Sequence, residues 1–438
     1  MNTPVAKKRL LATTAIAAGI WAVLAAAAAL TPLGSTAAQT ANPIEQVVRD
    51  AIGPKKLPGV VAMVADAKHI LYQGAAGDRD TAQHQPMTAD TIFRIASMTK
   101  PVTSVAVMQL VESGRVKLDE PAATYLPELA GVHVLEEFDA ATKKAKLRAP
   151  ATPPTVRQLL THTSGFAYDA FDPRLHAYSA SGAVPSMMAG DDGFLKAPLM
   201  FDPGTRWEYG ASTDWLGKLV EKVSGQTLEE YFRQHIFEPL GMTDTFFDVP
   251  AEKQGRVAAL YLRQPEGNWG EPPQQPLKPA KFYSGGGGLY STAGDYVKFA
   301  RMLLDGGKAG GKRILRAGTV AQMSRNQIGE LTLTALHPQI PMVAKEPIHI
   351  PGNLDKFGLG FGINSKPVEG ARSAGSLSWA GIFNTYFWID PEQKLCAVIL
   401  TQILPFSDDP VIATAEEFER AVYANLGGAG RKRKSDIY

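Results

Sequence analysis

Cysteine is almost missing from this chain: one thiol, Cys396, stands among 438 residues. An internal disulfide is therefore excluded and the fold has to be held by its core. Cys396 itself lies in the apolar run Leu395 to Leu400, where a buried, inert thiol is expected. An excess of one charge is lacking too. The 45 Lys and Arg against 43 Asp and Glu leave a net charge of +2, too small a field to attract nucleic acid or a polyanionic ligand, so neither is expected as a partner. No GxSxG stretch occurs, which argues against a nucleophile elbow. None of the eight histidines makes an HxH or HExxH arrangement, which leaves zinc chemistry unsupported, and no metal or cofactor is expected. The run Gly285 to Gly288 is not followed by GK[ST], so it carries no phosphate-loop signature.

Long apolar runs are also scarce, with one exception at the start. Lys7, Lys8 and Arg9 precede an apolar stretch from Leu10 to Leu30, and Thr31-Pro32-Leu33-Gly34-Ser35 and small residues to Ala38 follow. This is the order of a secretory signal peptide, so residues 1–38 predict export to a periplasm or the medium. The run is also long enough to cross a bilayer, which leaves an uncleaved anchor as the alternative and as the chain's one route to a membrane. At the other end Arg431-Lys432-Arg433-Lys434 begins a basic tail, 431–438, read as solvated.

With 45% hydrophobic and 20% charged residues the rest can bury a large core. Asn42 to Ile52 reads as a short amphipathic helix with Pro43 in its first turn. Gly59 to Asp66 and His69 to Ala76 read as an antiparallel hairpin. A helix apolar nearly all round should run from Ser97 to Val111 and stop at Ser113-Gly114, and such a helix belongs in the middle of a fold. Leu118 to Lys281 reads as helices between Pro- and Gly-rich loops, with helical spacing at 155–160, 214–223 and 228–237 and a surface loop from Gln264 to Lys281. Thr292 to Leu304 is a capped helix. Strand patterns return at 357–364, 376–383, 385–389 and 395–401, and a helix closes the chain from Asp409 to Leu426. Strands at both ends predict one sheet assembled from distant sequence. The expected architecture is an α/β (α+β) fold, with an α/β domain from 39–96 and 282–430 and a mostly helical domain over 97–281.

Chemistry concentrates around Phe93-Arg-Ile-Ala-Ser97-Met-Thr-Lys100-Pro101. Residues three apart share a helix face, so the Ser97 hydroxyl and Lys100 amine can meet, with the helix N-terminus favouring negative charge at the serine oxygen. A serine is a poor nucleophile unless a base lies within hydrogen-bond reach. SxxK alone also arises by chance in long chains. Tyr209, in the Pro-Gly loop Phe201 to Gly210, could bring a phenol whose ionised form would take the serine proton. Ser376 to Phe383 reads as an edge strand, with Gly381 marking a close backbone approach and a main-chain N–H free to serve an oxyanion. Each of these, alone, is equally consistent with ordinary packing.

Together they resemble a family. FRIASMTKP, LTHTSGF (160–166), PGTRWEYG (203–210), GGGGLYSTAGDY (285–296) and SWAGIFNTYFWIDP (378–391) are similar to the serine β-lactamase and penicillin-binding-protein superfamily, and within it to the class C-like family VIII carboxylesterases. The likeness runs through essentially the whole chain after the leader. It implies an antiparallel sheet flanked by helices beside a helical domain, with a cleft between them. It also implies Ser97 as nucleophile, Lys100 as its partner, Tyr209 as base, and main-chain N–H groups of Ser97 and Ile382 as the oxyanion hole. Trp379, Ala380 and Gly381 would border the substrate. His162, in the His-Thr-Ser-Gly turn, is read as structural and outside the chemical core.

The departures narrow the expectation. Where lactamases and peptidases of this superfamily place Asn two residues beyond the tyrosine, this chain has Ala211; where they place Lys or His at the start of the third motif, it has Trp379. An indole cannot hold a carboxylate, and losing a charge-assisted contact costs about 1.5–3 kcal/mol. A small-molecule ester with an uncharged acyl group of short to medium length is the expected substrate, cleaved through an acyl-enzyme on Ser97. A β-lactamase, a D-amino-acid peptidase or amidase, and an acyltransferase using the same residues are the alternatives, with a non-catalytic penicillin-binding-like sensor behind them. The four-proline loop Pro338 to Lys356 is expected to overhang the cleft. Oligomeric state is not encoded in these patterns.

Overall fold

In the computed structural model, residues 42–274 and 276–426 are described and pack as one unit. The apolar leader expected over 1–38 and the basic tail expected over 431–438 lie outside the described residues. The first helix, α1 (Pro43–Asp50), begins where the Asn42 side chain accepts from the Ile44 N–H, and it buries Ile44 and Val48. The hairpin follows as β1 (Gly59–Ala65) and β2 (Ile70–Asp80), and β3 (Gln85–Pro86) adds an edge. Near the far end of the chain lie β4 (Lys356–Phe357), β5 (Gly362–Ile363), β6 (Leu377–Gly381), β7 (Thr385–Asp390) and β8 (Leu395–Leu400).

These strands form one antiparallel sheet in the order β4-β5-β6-β7-β8-β1-β2-β3. Its centre is the pairing of β1 with β8, from Val61 opposite Leu400 to Ala65 opposite Cys396. That register joins the two ends of the chain, as the strand patterns predict. Every residue of β1, β7 and β8 is buried, which requires cover on both faces. It comes from α5 (Ala293–Leu304) against β1, β7 and β8, and from α1 against β2 and against α6 (Asp409–Leu426). Cys396 is fully buried in β8, and burial pushes its thiol up to about 12, so it is inert as read.

The central helix α2 (Thr99–Glu112) buries eleven of its fourteen residues and ends at Ser113, with Gly114 in the left-handed region. Against it packs α4 (Ser212–Ser224). Between them in sequence, α3 (Val156–Leu160) starts in a reciprocal cap in which Thr155 accepts from the Gln158 N–H while the Gln158 side chain accepts from the Thr155 N–H.

Several expectations need correction. The block 118–281 is not only helical: Val134–Asp139 and Lys144–Arg148 pair as a hairpin whose outer face is mostly polar, so its apolar signal is weak. Residues 228–237 keep α-helical bonding only to Phe232 and then widen into a π-helical turn. Within the loop 264–281, Trp269–Gly270 pairs with Tyr261–Arg263, which lies beside Ile403–Leu404. The strand expected over 357–364 is a tight hairpin, β4 and β5, because Gly360 takes φ +97° where a Cβ would meet the Ser104 Oγ at 2.1 Å. Finally, β6 is not an edge strand, since β5 covers it. That cover reaches only Ser378 and Leu377, however, so Trp379 to Gly381 pair with β7 on one side and, among the described residues, have no strand partner on the other.

Candidate active site

Ser97 does not lie in the first α-helical turn. It occupies a 3-10 turn, Ala96–Met98, that leads into α2 at Thr99. The residue before it, Ala96, takes φ +42°, a left-handed conformation that a β-carbon disfavours. Strain held this close to a reactive side chain fixes the direction of its Oγ at the cost of local stability. The i to i+3 spacing still delivers Lys100. Its Nζ lies 3.3 Å from Ser97 Oγ, 3.4 Å from Tyr168 Oη and 2.7 Å from the Gly286 carbonyl, with the residue only 2% exposed. Tyr209 Oη lies 2.6 Å from Ser97 Oγ, close enough for a proton to pass either way. The ammonium also sits over the Tyr209 ring, 4.6 Å from its centroid.

Tyr209 is placed by the His-Thr-Ser-Gly turn. The His162 carbonyl accepts from the Glu208 N–H at 2.9 Å, Thr163 O accepts from Gly204 N–H at 2.7 Å, and Gly165 O accepts from Met200 N–H at 2.7 Å. His162 itself is 1% exposed and its ring lies 5.2 Å from that of Tyr209, with Nδ1 3.4 Å from the Gly210 N–H. Burial, helped by the nearby Lys100 charge, drives its pKa well below the ordinary value, so it stands neutral behind the phenol. It is structural, as read, but directly against the site instead of remote from it.

The sheet supplies the other wall. In β6, Trp379 is 3% exposed and touches Tyr209, Trp207 and Phe357 at ring distances of 5.3, 6.4 and 5.4 Å. Ala380 and Ile382 border the same cavity as Ser97, whereas Gly381 does not. A Cβ on Gly381 would meet Ile95 O at 2.2 Å and Thr385 Oγ1 at 2.3 Å, so its role is to let the strand approach the backbone that carries Ser97. Ile382 opens the turn to β7, closed by Asn384 N–H donating to Gly381 O at 3.0 Å. Ala211 is the residue before α4 and is buried.

Two residues of the site were not singled out in the sequence. Tyr168 Oη donates to Asp214 Oδ2 at 2.5 Å, and Asp214 also accepts from Ser284 Oγ at 2.5 Å and from the Gly286 N–H at 3.0 Å. Burial and the Asp214 charge hold the Tyr168 phenol protonated, its pKa well above the ordinary value. Lys100 and Asp214, 2% and 1% exposed, are thus opposite charges linked through one neutral phenol. That mutual compensation, with the hydrogen bonds each group makes, offsets the burial, which for an isolated ion costs roughly several kcal/mol. The glycine run makes the link by close approach: a Cβ on Gly286 would meet Asp214 Oδ2 at 2.4 Å and Tyr168 Oη at 2.5 Å. One tyrosine among thirteen, two residues past Phe166, carries no signal that could have found it.

The cavity above Ser97 measures about 340 Å³ and is mainly apolar, with Phe171, Phe194, Phe282 and Ile350 among its walls. Among the described residues its charged lining is Asp191 and Asp214, with no Lys or Arg. Val343 and Ile350, from the loop 338–356, border it, so that loop does overhang the cleft.

The chain is similar along most of its length to several known proteins. The monacolin J acid methylbutanoyltransferase of Aspergillus terreus (strain NIH 2624 / FGSC A1156) is 33% identical over 417 residues, 89% of this chain and 97% of its own. The lovastatin esterase of Penicillium rubens (strain ATCC 28089 / DSM 1075 / NRRL 1951 / Wisconsin 54-1255) is 32% identical over 392 residues, 85% of this chain and 96% of its own. The unliganded simvastatin synthase of Aspergillus terreus superposes with a TM-score of 0.75 at 33% identity, covering 88% of this chain and 99% of that one. Residues 44–421 match the family described as Beta-lactamase, and the chain belongs to that family.

Proposed function

We propose that this protein is a serine carboxylesterase of the β-lactamase fold that takes esters with uncharged acyl groups of short to medium length. The observation that carries the reading is the contact of Ser97 Oγ with both Tyr209 Oη, at 2.6 Å, and Lys100 Nζ, at 3.3 Å, beneath a mainly apolar cavity with no Lys or Arg in its lining among the described residues. Ser97 Oγ attacks the ester carbonyl and loses its proton into the Tyr209 and Lys100 pair. Main-chain N–H groups of Ser97 and Ile382 hold the oxyanion. The carbonyl carbon then releases the alcohol, which takes up the proton, and water repeats the attack on the acyl-serine to free the acid and restore Ser97.

A second reading, transfer of the acyl group to an alcohol instead of water, is supported by the relatives, one of which is a methylbutanoyltransferase and another an esterase. β-Lactam or D-amino-acid substrates are less favoured, because Trp379 and Ala211 offer neither the cation nor the amide for a charged amide substrate. The test is turnover of p-nitrophenyl butanoate and nitrocefin by the wild-type chain and Ser97→Ala, with butanol added to half the ester reactions. Rapid release of nitrophenol that Ser97→Ala lowers about 10³-fold or more, with nitrocefin slow, is expected. Butyl butanoate outpacing butanoic acid would move the protein to the transferase reading, and nitrocefin preferred over the ester would overturn both.

A further inference from the structure

Ser284 opens the glycine run and borders the cavity above Ser97, where it is half-buried. Its carbonyl accepts from the Gly287 and Gly288 N–H groups at 3.3 and 3.1 Å, which fixes the turn. Its hydroxyl donates to Asp214 Oδ1 at 2.5 Å. A carboxylate has only lone pairs to offer, so the serine proton is committed to Asp214 and the oxygen can meet a further partner only as an acceptor. Among the described residues no group donates to it. Tyr168 differs: its hydroxyl also donates to Asp214, but its oxygen already accepts from Lys100 at 3.4 Å. The unused acceptor lies near the reacting serine. A Cβ on Gly287, another residue of the cavity wall, would lie 3.9 Å from Ala96 C and 4.0 Å from Ser284 Oγ. The space beside this glycine therefore adjoins both the backbone that leads into Ser97 and the Ser284 oxygen.

We propose that Ser284 Oγ holds the water that cleaves the acyl-serine, and so biases the site toward hydrolysis over transfer to an alcohol. This rests on the acyl-serine reading above and deepens it. Any attacking oxygen must give one proton to the Tyr209 and Lys100 pair. Water has a second O–H, which Ser284 accepts as a hydrogen bond without taking the proton; an alcohol has none left to give. In the step, the water oxygen bonds to the acyl carbon and its first proton passes to the pair. The bond from that carbon to Ser97 Oγ then breaks as the pair returns the proton to Ser97, and the second proton leaves with the acid. In a mainly apolar cavity a water without such a partner is poorly held, so Ser284 favours the acceptor that carries two O–H bonds.

The experiment supplies p-nitrophenyl butanoate and butanol to the wild type, Ser284→Ala and Ser284→Cys, with Ser97→Ala as control, and measures butyl butanoate and butanoic acid. Both products come from one acyl-enzyme, so their ratio is set after acylation, and slower acylation or a smaller folded fraction does not move it. Ser284→Ala removes the acceptor, and Ser284→Cys keeps the bulk but offers sulfur, a weak acceptor. In both variants Asp214 retains its Tyr168 and Gly286 donors. Each variant should raise the ratio of ester to acid about fivefold or more at fixed butanol, through slower release of acid. A ratio within about twofold of wild type in both would overturn the proposal. So would a rise in Ser284→Ala alone, because added room for the alcohol would then be the cause. If the wild type releases no nitrophenol that depends on Ser97, the acyl-serine reading falls and the role of Ser284 with it, whereas Ser97-dependent release with an unmoved ratio removes the role of Ser284 alone.

Discussion

Lys100 is 2% exposed, and the groups around its amine are of the kind that offset a positive charge: the Gly286 carbonyl, two phenol rings, and Asp214 beyond one of them. The consequence for Tyr209 is direct. Its hydroxyl is the atom nearest Ser97 Oγ, so Tyr209→Phe should lower kcat about 10²–10⁴-fold with little change in KM, measured on p-nitrophenyl butanoate. Asp214 acts at one remove. It touches neither Ser97 nor Lys100, but it fixes the Tyr168 hydroxyl and Gly286, both of which contact the Lys100 amine. Asp214→Asn puts an amide N–H₂ where three donors converge and leaves Lys100 without a buried counter-charge. A loss of about 1–3 kcal/mol in urea unfolding is expected, together with a shifted pH profile of kcat. Tyr168→Phe should reproduce the pH shift with the smaller stability loss. An unchanged profile in both would reduce the network to packing.

Among the elements, β6 and the 3-10 turn before α2 matter most, because the site depends on how closely their backbones approach. Gly381 sets that distance. A methyl group there would lie 2.2 Å from Ile95 O, and the carbonyl cannot yield without moving Ser97 two residues on. Gly381→Ala should therefore cost about 10²-fold in kcat through sub-ångström displacement of Ser97 from Ile382, and leave the circular dichroism of the sheet unchanged. The lettering of both elements was readable in advance: a serine and a lysine at helical spacing, and a glycine interrupting a strand. Their local forms were not. Ser97 lies in a 3-10 turn because Ala96 turns left-handed before it, and β6 is half covered because the glycines after Phe357 fold β4 and β5 back upon themselves. Both outcomes turn on the backbone conformation of a single residue, Ala96 or Gly360, which a propensity averaged over a segment does not register.

At the scale of the whole molecule, Glu208 ties stability to pH. Burial, then a side-chain hydrogen bond with Asp172, raises its pKa from 4.5 to about 7 against the opposing pull of Arg206. The folded chain keeps a proton there that the unfolded chain releases near 4.5. Its contribution is complete below that pH and is lost as pH rises through about 7. Thermal unfolding followed from pH 4.5 to 8 should show a midpoint falling across this window on account of Glu208, and Glu208→Gln should flatten that part of the profile. The sequence by itself determined the secondary structure of the long elements, the pairing of the chain's two ends into one sheet, and the serine, lysine and tyrosine at the centre. The elements follow from periodicity and capping, which are local in the chain, and the grouping of Ser97, Lys100 and Tyr209 follows from the resemblance of their motifs to those of a family. Only the tertiary structure decided that Tyr168 and Asp214 stand beside Lys100 and that His162 stands against Tyr209. Burial and charge compensation are properties of side chains that meet in space after being far apart in sequence, and no pattern within a segment records them.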